Sequence, residues 1–498
     1  MVMKQEIQII REQQDAQKSE PEQDTIHRVP TLRTPLFSDE ALGAAFETCL
    51  IIGGLLAMLV LLPHGIFGDG AERFQAISDL LERGKLSNMQ YSIVGPAFSI
   101  PFWLLGKFSM TPEWWLARYN LILFSASLLI MYLLLKERAH RGLLRKFFLL
   151  LIIASMFANQ LSAYYGEVFT ALCVAIGVIM LVSGRAIRGW GIVVLGVVNT
   201  PATVVSLISM SLLRIFKNRR LRYILVVAAA LAFIVIEYTI RRGSIFVSYE
   251  PPPNPALHTV MPYSGLRGFS YPFFFGLLSI LFSFGKGLIF FVPGLLLPVR
   301  GLLRKAVPDL QLDIYGIYLL WVAFVVGLIL VYSPWWAWYG GWFWGPRFFL
   351  FACIPASFAI ALRLHYREVT RTDQAGGRDL SRPYTLLGDL LTLGVLLLSV
   401  WVGINGAVFE QQELSVCVAK SYALELLCHY TPEFSVLWHP FVVNEFAALN
   451  SRQLLYIAYC LFVFVYLVTP LMVDILQQMS EMVRVARKMY LNAGAWRF

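Results

Sequence analysis

Four short stretches of this chain carry side chains that could do chemistry. "LPHGIFGDGAERFQ" (62–75) holds Asp69 and Glu72, with Arg73 beside them, directly after a long apolar run. "SAYYGEVFTA" (162–171) sets Glu167 in a very short link between two apolar runs. "FSFGKGLIFF" (282–291) places Lys286 alone in a Gly-flanked break, and "SPWWAWYGGWFWGPRFF" (333–349) crowds Trp336, Trp338 and other aromatics ahead of Arg347. A carboxylate within reach of a hydroxyl can take its proton, and carboxylate oxygens are hard ligands for Mg, Ca or Mn. Guanidinium offers phosphate a fixed fork, and an Arg at a helix start stands against the helix dipole unless an anion meets it there. Cations at membrane depth with aromatic walls suit a lipid-linked phosphate and a sugar, whose faces stack on rings. Each residue also has a plainer reading. Asp69 is a good helix N-cap, Glu167 a solvated loop acid, and Lys286 a snorkelling side chain.

The elements that must carry these residues are membrane helices. The 498 residues are 58% hydrophobic and 14% charged, against about a quarter charged in soluble domains. The net charge of +10 sits in short basic segments between apolar runs, the pattern of cytoplasmic loops, so nucleic acid is not the expected partner. No zinc-type Cys/His spacing, Walker-type loop or dinucleotide fingerprint is present. A long polar segment precedes the first apolar run, so no cleavable signal peptide is expected.

Spans are expected near 44–63, 114–135, 147–164, 168–183, 223–240, 314–332, 347–363, 386–408 and 453–474. Residues 190–213 have basic flanks on both sides and read as two half-length helices turning at "NTPAT", where Pro201 breaks the helix. Residues 271–299 read as a re-entrant piece and a crossing, broken near Ser283 to Gly287. The count is about 11–13 transmembrane or re-entrant helices in an all-α polytopic protein, with both termini cytoplasmic. Residues 64–113, 164–167, 241–270, 333–346 and 409–452 then lie outside. "AERFQAISDLLERGKL" reads as an amphipathic helix on the outer surface, with Asp79 and Glu82 on its wet face. Cys417 and Cys428 share an outer loop, where a disulfide is possible.

An outer acid after the first span, a second acid between the third and fourth, and "WYGGWFWGPRFF" before a late span resemble the GT-C class of multispan glycosyltransferases. The likeness is to bacterial members related to protein O-mannosyltransferases and lipid A aminoarabinose transferases, and "SFGKGLIFFVP" is similar to a phrase in other bacterial members. It covers most of 44–365. The family's first-loop motif is often two adjacent acids or Asp-x-Asp; "GDGAE" keeps only Asp69 at the core position, with Glu72 three along. The resemblance implies a GT-C-like core (44–365) between a flexible tail (1–43) and a cytoplasmic loop (366–385). C-terminal membrane helices (386–474) and a basic tail (475–498) follow. It further implies a polyprenyl-phosphate-linked sugar as donor, a lipid, glycan or protein acceptor on the outer side, and inversion at the anomeric carbon. The expected place is a bacterial inner membrane, facing the periplasm. On that footing Asp69 is the expected general base, Arg347 and Lys286 face the leaving phosphate, and Glu72 and Glu167 position the acceptor or hold a divalent cation. Tyr164, Tyr165, Trp336 and Trp338 are expected sugar or lipid contacts. The rival readings are a transporter or flippase of lipid-linked sugars, and a non-catalytic binding member of a glycosylation complex.

Overall fold

A computed structural model describes residues 39–244, 268–305, 313–373, 383–409, 414–417 and 424–495. The described residues are helical, with no strand among them, and seven helices are long and apolar enough to cross a membrane. The long helices are α1 (Asp39–Leu61), α3 (Pro112–Leu135), α8 (Ile224–Arg242), α10 (Ile314–Tyr332), α11 (Cys353–Asp373), α12 (Pro383–Val408) and α13 (Ser451–Ala495). Shorter helices fill the interior: α4 (Arg141–Ile153), α5 (Gly166–Val182), α6 (Ala186–Asn199), α7 (Val204–Asn218) and α9 (Phe273–Phe282), while α2 (Asp69–Arg83) follows the first crossing. This is an integral membrane protein of all-helical architecture.

Local signals set many of the ends. Thr111 caps α3 by accepting the Trp114 N–H at 3.2 Å, with Pro112 at the first helical position. Asp313 caps α10 through the Gly316 N–H at 2.7 Å. Asn450 and Gln453 exchange side-chain and backbone bonds at 3.0 and 2.9 Å, a capping box that starts α13.

The interior is centred on α5, whose residues are almost all buried, with α6 antiparallel to it. Gly177 and Gly189 let the two backbones touch, since a Cβ at either would lie under 3.0 Å from the other helix. The "NTPAT" segment does turn the chain between α6 and α7. These helices of 14 and 15 residues reach further than half-length pieces. Asn199 at the turn donates to Gly166 O at 2.9 Å, which places the turn level with the start of α5.

Two expectations change and one holds. The third span does not run to 164: α4 ends at Ile153, where Ser155 Oγ bonds Leu151 O at 2.7 Å and accepts the Phe157 N–H at 3.2 Å. Buried polar groups satisfy the broken backbone there, so an apolar run need not be a continuous helix. The break expected near Ser283 to Gly287 is present, between α9 and a single turn at Leu288–Phe291. The basic segment from 475 does not begin a separate tail, because α13 continues unbroken past Pro470 to Ala495. The loop expected outside, 241–270, and the N-terminal tail lie largely outside the described residues.

Candidate functional site

Two backbone segments are joined before any side chain matters. Gly65 N–H donates to Ser162 O at 3.0 Å, and Gly65 forms an isolated parallel bridge with Ala163. Further along, Gly70 lies so close that a Cβ there would meet Tyr164 O at 2.9 Å. Gly166 packs on the Arg73 guanidinium, 2.5 Å from where its Cβ would stand. Buried Asn120 holds the second segment by donating to Ala163 O at 2.7 Å and Tyr165 O at 2.9 Å. The first turn of α2, with Asp69, and the first turn of α5, with Glu167, therefore arrive side by side.

Arg347 stands between them, at the entrance of the late span. Its Nη1 donates to Asp69 Oδ2 at 2.6 Å and lies 3.7 Å from Glu167 Oε1. Its Nε donates to Gly340 O at 2.6 Å, and its guanidinium lies 4.0 Å from the centre of the Phe343 ring. The arginine is 8% exposed, against 16% and 14% for the two acids, so the carboxylates rather than the cation front the open side.

This geometry revises the capping reading of Asp69. The N-cap position is Gly68 at φ 55°, Asp69 is the first helical residue, and no side-chain cap bond is made. The carboxylate turns to Arg347 instead. Glu72 stays exposed one turn on; partial burial, with the charge of Asp69 second, pushes its carboxyl above the usual range, against the pull of Arg73. Tyr91 was not flagged by sequence reasoning. Its hydroxyl accepts Gln90 Nε2 at 2.6 Å, and burial first, then the Asp69 charge, pushes its ionisation up, so it stays neutral. Arg73 lies 4.6 Å over the Tyr91 ring. A polar Tyr in a link of "NMQYS" composition gives no periodicity to mark it; the buried Asn120 and Asn199, polar residues within apolar runs, were the readable signal.

Lys286 takes a different place from the one expected. It is 2% exposed, and its Nζ donates to Gly341 O at 3.1 Å, to Phe343 O, and to Gly345 O at 3.3 Å. Gly340, Gly341 and Gly345 sit at φ 81°, 77° and 64°, conformations that turn those carbonyls inward and favour glycine. The ammonium thus braces the aromatic loop from behind, and Arg347 is the cation that lies beside the two acids. Snorkelling is excluded, since this head group points into protein.

The aromatic candidates divide. Tyr165 packs edge-on against Phe343, centroids 5.4 Å apart, and belongs to the wall around Arg347. Tyr164 is 3% exposed with its hydroxyl 2.7 Å from Ser99 Oγ, so it packs in the interior. Trp338 is 1% exposed and packs on Tyr339 and His429, so it too is interior. Trp336 is half-buried on the flank of the loop, its backbone N–H on Gly268 O at 3.0 Å. Cys417 and Cys428 are joined as a disulfide with Cα atoms 6.2 Å apart. The chain beside that bond supports the Lys286 segment, since His429 O accepts the Gly285 N–H at 3.0 Å.

A resident divalent cation does not fit this donor set as it stands. Among the described residues no three His, Cys, Asp or Glu side chains converge, and the two acids that approach each other share the Arg347 guanidinium.

Fold and site together define a polytopic helical membrane protein with two acids gathered on one buried arginine at a membrane face. The chain is similar to the crystal structure of ArnT from Cupriavidus metallidurans bound to undecaprenyl phosphate, at 13% identity and a TM-score of 0.44, over 87% of this chain and 78% of that one. No family model matches the chain, and no curated protein matches it.

Proposed function

We propose that the protein is a GT-C-type glycosyltransferase that moves a sugar from a polyprenyl-phosphate donor to an acceptor hydroxyl, at the membrane face opposite the basic segments. The observation that carries this reading is the convergence of Asp69, Glu167 and Arg347, with Asp69 and Arg347 paired at 2.6 Å across 278 residues of sequence. The acids and the arginine supply both halves of an inverting displacement. The acceptor oxygen bonds to the anomeric carbon as the bond from that carbon to the phosphate oxygen breaks. The hydroxyl proton passes to Asp69, and the polyprenyl phosphate departs onto Arg347.

The ion pair gives the two halves an order. While Arg347 holds Asp69, the carboxylate's Oδ2 is taken by the guanidinium. A donor phosphate competes for the guanidinium, and the carboxylate it displaces becomes the free base. Tyr91 remains to orient Asp69, and Glu167 remains to counter the arginine or hold the acceptor. The positive charge of this scheme is the arginine's own, so it routes no step through a metal ion. The basic segments favour this face outside and the termini in the cytoplasm, with a bacterial inner membrane as the expected setting.

The test is transfer by purified protein in lipid from a panel of labelled polyprenyl-monophosphate sugars, with Asp69→Asn beside wild type. A folded Asp69→Asn protein is expected to lose roughly 10²- to 10⁴-fold in turnover, the usual worth of a positioned base. If wild type consumes no donor yet carries a lipid-linked sugar across the membrane, the transferase reading gives way to a flippase.

A further inference from the structure

Away from the acids, a crevice of about 690 Å³ runs between α6 and α8, walled almost wholly by apolar side chains. Trp190, Val194 and Val198 line it from α6, and Ala229, Phe233 and Ile236 from α8, at helical spacing along both. On the side of the basic segments it continues into a second cavity of about 250 Å³, which shares Trp190 and Val226 and adds Arg214, Arg222 and Tyr223. From Val226 to Ile240 the groove follows α8 for about 21 Å, enough for an acyl chain to run from the interface past mid-membrane.

The two ends differ in what their charges are doing. At the far end Arg241 Nε is bound to Glu237 Oε1 at 2.9 Å and its Nη1 donates to Met89 O, so that cation is neutralised in place. At the basic end Arg214 Nε is buried without a hydrogen-bond partner, and Arg222 is exposed beside the Tyr223 ring, 5.7 Å from its centre. Asp313, the carboxylate that attracts Arg214, is already bound by Lys217 at 2.7 Å and by the Gly316 N–H at 2.7 Å. An apolar groove ending in two guanidiniums, a Trp and a Tyr has the polarity of a phospholipid with a net negative head.

We propose that this crevice holds one anionic phospholipid from the leaflet on the basic side, with its phosphate on Arg214 and Arg222 and an acyl chain along α8. The site is separate from Arg347 and does not depend on the glycosyltransferase reading.

Native mass spectrometry of the full chain, exchanged into equal mixtures of phosphatidylglycerol and phosphatidylethanolamine with identical chains, tests it. Wild type should retain one phosphatidylglycerol with about a tenfold preference. Arg222→Gln, an exposed position that leaves the fold alone, should cut that preference at least fivefold, and R214Q/R222Q should abolish it. Ala229→Trp, which fills the groove, should displace either lipid. Equal retention of the two lipids by wild type would overturn the proposal, as would an undiminished preference in Arg222→Gln. Displacement by millimolar inorganic phosphate would reduce the site to a free-anion site, and displacement by a polyprenyl monophosphate at equal concentration would make it the donor's groove; either result also overturns it.

Discussion

Two of the buried clusters of carboxylates and cations among the described residues are built on opposite plans. On the basic side Glu47, 3% exposed, receives Arg145 Nε at 2.5 Å, Lys146 Nζ at 3.1 Å and the Tyr466 hydroxyl at 3.0 Å. One acid there serves two cations, and both of its oxygens are taken. Around Arg347 the ratio is inverted, with two acids on one cation, and only one of the contacts is as short as 2.6 Å. A saturated cluster ties α1, α4 and α13 together and has nothing left to offer a ligand. A cluster with more acceptors than donors can exchange its partner. Burial and charge alone do not distinguish a structural ion pair from a reactive one; the count of unused valences does.

Removing the central cation should separate the two clusters most sharply. Arg347→Ala is expected to lower sugar transfer by roughly 10³-fold, the scale of a lost transition-state donor, with donor affinity falling as well. Lys286→Met should come next, at roughly 10²-fold, because its three carbonyl acceptors lose their shared donor and the loop that seats Arg347 shifts. A raised KM for donor, with Lys286→Arg failing to restore it, would mark positioning; unchanged kinetics in a folded Lys286→Met protein would refute it.

Glu47→Gln makes the converse case. It leaves two poorly exposed cations without their acid, and a loss of about 3–5 kcal/mol of stability is expected. Turnover per folded molecule should stay at the wild-type value, which activity normalised to the monodisperse fraction will check. The smallest effect belongs to Glu72. Its folded carboxyl is raised above the ordinary glutamate range, so its favourable contribution is complete below that range and is lost as pH rises through the folded value. Glu72→Gln should therefore match wild type in thermal midpoint near pH 4 and exceed it slightly at pH 7; an equal difference at both would remove the linkage.

These comparisons also show what a linear sequence could and could not carry. The span at 314–332 was legible to the residue, because a continuous apolar run begins right after a capping Asp313. The turn at Pro201 was legible for the same kind of local reason. The end of α4 was not. It depends on Gly403, whose Cβ would collide with Ile153 O at 2.1 Å, and hence on the approach of α12 across some 250 residues. At the site, Asp69, Glu167 and Arg347 stood out as charges that a membrane interface tolerates poorly. Their meeting depends on a backbone contact between two loops, which has no signature in residue type. Lys286 misled because its surroundings in sequence are apolar, whereas its surroundings in space are carbonyls turned by glycines at positive φ. Local chemistry was readable; which partner each charge chooses is a property of long-range closure.

The backbone contact between Gly65 and the Ser162–Ala163 segment has a consequence for the membrane itself. Helices adjust to a thinner or thicker bilayer by tilting, and sites assembled from the free ends of separate helices are pulled apart as they do so. Here the two acids start from a common splice, so their separation is decoupled from the tilt of α1 and α5. The proposed sugar transfer should then hold steady across a series of bilayers whose acyl length varies by several carbons. The protein would carry its reaction geometry as a fixed unit, like an instrument head on flexible legs.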